Sequence, residues 1–558
     1  MTAIEEIELE MNSEWRKIAR TPFMHKPIGL LEIVRAIDDL FCFYSYALPN
    51  NSKEKQEWYE YFKTHSNGFY EWFENFDYND EIDQKPTIFF VSTAASKQWA
   101  NYSLIQSGKL GFVYRFVQLA KQGIFNVERV DSQKFEFKYI LTSTGAEFVE
   151  SLYQKRHLTN LFETSFNERF KVLEAVVEQE LPNRVSIWNH DFIKYESSST
   201  IDEFYLLYGK ALCNGFVGYD TFEDQSVFNG IPYGTIKQVI SAFIGSTKKH
   251  FDFCQVALAK FGLKRLNQWN LYTTPFKRVE LIELISKESN VNIEAVEWVI
   301  DLLTLNKSNI SIHLGAPGSS LPPLFKLDKE WVLRSVAGSL SNPFTYLNRC
   351  LKSSYNNDYS KAVNLREERF RNEFNNLFDS NRILKCNKSV VLKSNGVILT
   401  DIDSMLYDTE DETLLLVQLK WMDDFGTSMK QRASMEKNFY EPATKWINKT
   451  DEWLECNAPI QLLKYFDEDC SSSKIKKVFR LVLGRHFAHF SDKKTDEKSL
   501  WCGWPQLVHI IQNKKSNQSL SEIVKEVQKE SITQVNLTKL IPDTKYEVGK
   551  YIVTIKFK

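Results

Sequence analysis

At 558 residues the chain is longer than a single hydrophobic core supports, so two to four domains are expected. With 43% hydrophobic and 25% charged residues it has the composition of an ordinary globular protein, with little disorder. A net charge of −2 excludes a whole-molecule field that draws in nucleic acid or an anionic membrane, so any polyanion contact must come from a local patch.

Residues 1–10 are acidic where a secretion signal is basic, and no apolar run approaches bilayer-spanning length. A cytoplasmic location without membrane association is expected. The eight cysteines, at 42, 213, 254, 350, 386, 456, 470 and 502, include no CxxC pair and read as reduced and mostly buried. Up to about residue 310 apolar residues recur at helical spacing, as in Leu30, Leu31, Ile33, Val34, Ile37 and Leu40, and this predicts a mainly α-helical region. The aromatic stretch 41–78, with Trp58, Tyr59, Tyr61, Phe62, Trp72 and Phe73, lacks interleaved Arg and reads as core or interface packing rather than a base-stacking platform.

An alternating run at 135–141 between helical patterns, followed by capping-box spacing from Thr144 to Glu147, is compatible with a winged-helix module over about 105–155. Apolar periodicity over 279–285 and 293–300, joined by a short polar turn, gives a helix–turn–helix pattern within 275–305. Residues 314–323, LGAPGSSLPP, support neither a helix interior nor a central strand, and the main boundary is expected there. The Gly315–Ser320 piece lacks the ending of a phosphate-binding P-loop.

Beyond the boundary a charged helix is expected over 361–379. Strand-like runs follow at 389–392, 397–407 and 413–420, then a helix over 428–447 and a strand at 478–483, in the order α-β-β-β-α-β. In the second strand Asp401 and Asp403 stand two apart, so an extended backbone projects both carboxylates from one face; Gln418 and Lys420 repeat that spacing in the third. If the strands pair as a hairpin, the polar pairs become neighbours. Oxygen ligands from Asp403, Asp401 and Gln418 suit a hard divalent cation, Mg²⁺ or Mn²⁺, and Lys420 suits an attacking water and the charge on a phosphate. An acidic residue of the preceding helix completes such sites, with Glu367, Glu368 and Glu373 available.

The string TDIDSML…LLVQLKW, preceded by REERF at 366–370, resembles the PD-(D/E)XK (restriction-endonuclease-like) nuclease superfamily, and looks closest to its Mrr-like branch with a Gln-x-Lys motif. The resemblance implies an α+β multidomain protein: a mainly α-helical regulatory or recognition region (1–315), a connecting segment (316–344), and a C-terminal α/β nuclease-like domain (345–558) with an αβββαβ core. It implies catalytic roles for Asp403, Gln418, Lys420 and Glu367, with Asp401 auxiliary, and a Mg²⁺-dependent endonuclease acting on DNA in restriction or anti-phage defence, with a homodimer as one way to cut both strands. The alternative is a catalytically inactive nuclease-fold protein that binds nucleic acid or acts as a sensor, since Gln418 replaces the commoner acidic residue. Lys430 and Arg432, at the start of the helix after the Lys strand, and Lys476 and Lys477, in a basic cluster with Lys474 and Arg480, are candidate contacts to the phosphate backbone. His486 and His489 have i, i+3 spacing but read as strand-end surface residues rather than metal ligands.

Overall fold

Leu30, Leu31, Ile33, Val34 and Ile37 are all buried on the helix Lys26–Cys42, as their spacing predicts. The structure is a computed structural model describing residues 2–20, 22, 26–49, 52–79, 90–140, 146–166, 168–216, 222–315, 320–378, 380–423, 429–466, 474–490, 493, 495–496, 499–513, 518–531 and 543–556. Among them no helix is long and apolar enough to cross a membrane. The mixed α/β class holds: helices dominate the first part, and the larger sheet lies in the second. Phe62, Phe69, Trp72 and Phe73 are buried, so these aromatics are core, whereas Trp58 and Tyr59 are half-buried and Tyr61 is exposed.

Strands β1 (Phe125–Arg129) and β2 (Lys134–Tyr139) form a hairpin that turns Phe135 and Phe137 inward. They lie between the helices Ala94–Lys121 and Ala146–Thr164, in the order expected for 105–155; Thr144 of the expected capping box lies outside the described residues. Two local hairpins follow, β3 (Val185–Trp188) with β4 (Phe192–Tyr195), and β5 (Val227–Phe228) with β6 (Ile231–Pro232). Next comes the helix–turn–helix pair, Arg278–Ser289 and Ile293–Leu302. Its turn is made by Asn290 in the left-handed region (φ 56°) and by Asn292, which caps the second helix through the Ala295 N–H at 2.8 Å.

Strands β7 (Thr274–Lys277), β8 (Thr304–Leu305), β9 (Leu324–Lys326) and β10 (Trp331–Arg334) assemble in the order β7-β10-β9-β8. This overturns the expected boundary at 314–323. The chain leaves that run and returns to strands laid down before it, so the Gly/Pro cluster is a turn inside one unit; residues 316–319 lie outside the described residues. A single apolar core runs from Ile7 to Ala362.

The second body begins with Arg366–Asn376, separated from Asn356–Asn364 by a break at Leu365 where one helix was expected. Then come β11 (Ile383–Cys386), β12 (Val390–Ser394), β13 (Val397–Ile402), β14 (Ser404–Asp408), β15 (Thr413–Lys420), the helix Met429–Cys456, β16 (Lys477–Gly484) and β17 (Leu500–Gly503). The sheet order is β11-β14-β15-β16-β17, antiparallel up to β15 and parallel beyond it. Along β15, Leu414 and Leu416 face a core shared with Met429–Cys456, while Leu415, Val417 and Leu419 face one shared with Arg366–Asn376, Trp504–Gln512 and Leu520–Ser531. The result is a helix–sheet–helix sandwich.

Two details differ from the expected strands. The 389–392 run is β12, which pairs with β13 in a separate hairpin, and β11 takes its place beside β14. The 397–407 run is not one strand either: the chain changes sheets at Asp403.

The last hairpin, β18 (Thr544–Val548) and β19 (Tyr551–Lys556), leaves this body. β19 lies parallel to β2 and completes a sheet in the order β1-β2-β19-β18, with Val548, Val553 and Ile555 in the first core. Residues 345–558 are therefore not a self-contained domain. Phe344, Leu347, Leu351 and Tyr359 also belong to the first core, which places the division between the bodies near residue 365.

Candidate active site

The site forms where the antiparallel part of the large sheet meets its parallel part. Asp403, at the sheet change, donates its N–H to the Val417 carbonyl at 3.0 Å, which anchors it opposite the end of β15. Its side-chain Oδ2 accepts the Leu419 N–H at 2.7 Å and the Gln418 Nε2 amide. Arg371 donates to its carbonyl oxygen. Only 5% of Asp403 is exposed.

Burial raises the Asp403 carboxyl to about 6. The Leu419 N–H and the Lys420 ammonium pull it down, whereas the charges of Asp401 and Glu367 push it up. Lys420, Asp401 and Glu367 thus all act electrostatically on one buried carboxyl. The three reach within electrostatic range of it by different routes.

Lys420 is the last residue of β15, half-buried, and its carbonyl accepts the Arg485 N–H at 2.9 Å. Glu367 sits exposed in the first turn of Arg366–Asn376. Asp401 does not share a strand face with Asp403. It stays exposed on β13, opposite Val391, because the chain switches partners between the two residues. The expectation of two carboxylates projecting side by side from one extended segment is corrected accordingly. Of the other helix acids, Glu368 is exposed, and Glu373 is neutralised by Arg369 at 2.8 Å and by Arg485.

Arg485 was not singled out in the sequence. It spans Glu373 and the aromatic rings of Trp421, Trp504 and Phe370, with its guanidinium 4.4 Å from the Trp421 ring centre. The turn that carries it needs Gly484, since a Cβ there would lie 1.8 Å from the Phe487 carbonyl oxygen. The position two residues beyond the strand expected at 478–483 was its signal in the sequence.

A hard divalent cation fits this donor set in part. Asp403 offers Oδ1 while Oδ2 is held by its two donors, and the excess of carboxylate over ammonium around it is the charge a cation relieves. For Gln418 to contribute its oxygen the amide has to turn over, because Nε2 is the atom facing Asp403. Among the described residues no group of three or more His, Cys, Asp or Glu stands close enough to hold a metal.

The three proposed phosphate contacts whose side chains are described do not gather here. Lys476 pairs with Glu412, and Lys477 lies beside Thr413 at the opposite end of β15 from Lys420, roughly 20 Å along the strand. Arg432 is buried in a two-point ion pair with Glu147, at 2.9 and 3.1 Å, and faces the Phe490 ring. The side chain of Lys430 lies outside the described residues. Contrary to the expected surface position, His486 and His489 are both buried: burial and Arg485 push His486 down to about 3, and His489 Nδ1 bonds Glu150 at 2.8 Å. The second helix of the helix–turn–helix pair carries Glu294, Glu297 and Asp301, the last two tied to Arg278, where a DNA-reading helix would carry cations. Comparison of the chain with family models, with curated proteins and with solved structures returns no match.

Proposed function

We propose that the second body is a metal-dependent nuclease of the PD-(D/E)XK type that hydrolyses phosphodiester bonds, with DNA as substrate and restriction or anti-phage defence as its setting. The observation that carries the reading is the buried Asp403 carboxyl, fixed by the end of β15 and acted on together by Lys420, Asp401 and Glu367. Its position next to the carboxyl ends of the parallel strands supports the same reading, because open sheets bind ligands there. The resemblance of the D…QxK string and the strand order agree with it.

In this reading Asp403, with Asp401 and the Gln418 oxygen, holds Mg²⁺ or Mn²⁺, which when bound supplies an activated water and offsets phosphate charge. Lys420 orients the attacking water and stabilises negative charge on the non-bridging oxygens. Glu367 positions the outer side of the site from its helix. Purified protein should nick DNA in Mg²⁺ or Mn²⁺, and Asp403→Ala and Lys420→Ala should each lower the rate by about 10²-fold or more. Undiminished cleavage in those variants would end the proposal, and competition between labelled DNA and RNA would assign the substrate.

One observation favours a second reading, a binding protein on the same fold without turnover. Gln418 already spends its amide on Asp403, so Asp403 is satisfied without a cation. Nucleic-acid binding that is indifferent to metal, with no cleavage, selects that reading.

A further inference from the structure

We propose that the recess beside the candidate active site is a nucleotide pocket, which takes one phosphate-bearing nucleotide of the substrate strand through Arg349 and Lys352. It rests on the nuclease reading only for the identity of the strand. The recess, about 500 Å³, lies between the helices Pro343–Ser354 and Asn356–Asn364 on one side and the segment after β15 on the other. That volume suits a ligand of nucleotide size.

Its position ties it to the chemistry. Arg366 lines the recess and the next residue, Glu367, acts on Asp403; Trp421 lines it and the preceding residue, Lys420, acts on Asp403. Neighbouring Cα atoms are about 3.8 Å apart, so at two separate points of the chain the recess and the candidate site are one residue from each other. A strand held at Asp403 has the recess directly beside it.

Charge and hydrogen-bonding groups indicate what fits. Arg349, Lys352 and Arg366 contribute three positive charges to the lining and Asp423 one negative charge, a local excess of cation in a chain whose net charge is −2. Asp423 is already used by Arg366 at 2.6 Å, Tyr359 at 2.8 Å and Lys352 at 3.2 Å. Arg349 is different: its Nη1 is buried and meets no acceptor among the described residues. A buried guanidinium N–H left unmatched is costly, and the planar fork of Arg suits two phosphate oxygens. At the rim the amides of Asn356, Asn364 and Asn438 offer both donors and acceptors, the combination that reads a base edge. A simple anion would leave those amides unused.

Titration calorimetry of the full-length protein in EDTA, with deoxynucleoside 5′-monophosphates and with inorganic phosphate and deoxynucleosides as comparators, tests this without any cleavage. The monophosphates should bind more tightly than either comparator. Arg349→Gln should weaken them by about tenfold or more. Lys352→Ala, at a side chain 56% exposed and thus harmless to folding, should weaken them less. No heat with millimolar nucleotide, equal binding of phosphate and nucleotide, or wild-type affinity in both Arg349→Gln and Lys352→Ala overturns the pocket. Cleavage without nucleotide binding removes the pocket and leaves the nuclease, and nucleotide binding without cleavage does the reverse.

Discussion

Asp403 carries the sharpest consequence at the scale of single residues. Its carboxyl is raised above the value of an unfolded Asp, so folding favours the protonated form; stability is full below about pH 4 and falls as pH rises through about 6. Asp403→Asn should therefore stabilise the metal-free protein at pH 8, by at most about 3 kcal/mol for a shift of this size. The gain should vanish at pH 4. A divalent cation reverses the balance by favouring the carboxylate, so the wild type should gain thermal stability from Mg²⁺ or Mn²⁺ above pH 6, lose that gain below it, and the Asn variant should show none. Melting temperatures across pH with and without metal measure all three. Asp403 and Lys420 were legible in the sequence because a buried Leu-Leu-Leu-Val run ending in Lys, next to an Asp, has few structural explanations. The separation of Asp401 from Asp403 was not, since both sheets accept the same alternation and only tertiary pairing decides where the chain crosses.

At the level of elements, the helix Ala146–Thr164 fastens the first body to the second through one face. Glu147 holds Arg432; Glu150 accepts the Ala488 N–H at 3.0 Å, the His489 N–H at 3.2 Å and His489 Nδ1; Tyr153 bonds Glu530 at 2.5 Å. These positions are three apart and lie on one side of the helix. Glu150 is 4% exposed, so Glu150→Ala strands buried donors and should cost about 3 kcal/mol. Hydrogen exchange should quicken first in 484–490, the segment that also carries Arg485 beside Lys420. A sequence reading finds such a helix but not its destination: acidic residues at this spacing look like a solvated face, and the partners stand almost three hundred or more positions away. Strand β11 escaped for a simpler reason, as four residues with a Lys among them give too short a pattern.

For the molecule as a whole, the parallel pairing of β19 with β2 is decisive. A fragment 345–558 should express poorly or aggregate, because Val553 and Ile555 lose their cover and β18–β19 becomes a free hairpin with open edges. A fragment 1–344 exposes the edge of β2 and should fare no better, whereas the two co-expressed should recover a soluble complex; size-exclusion chromatography of the three preparations checks this. The expected division into an N-terminal region and an independent nuclease domain could not anticipate the arrangement, since local pattern says nothing about which distant strand becomes a neighbour.

The same pairing sets a timetable for biosynthesis. β2 ends at Tyr139 and its neighbour starts at Tyr551, so the ribosome must add about four hundred residues before the partner exists. At about 5–20 residues per second, the nascent chain carries an unzipped β edge for roughly 20–80 s. Chaperone engagement on translating ribosomes should accordingly begin soon after the β1–β2 hairpin emerges and persist until β19 emerges.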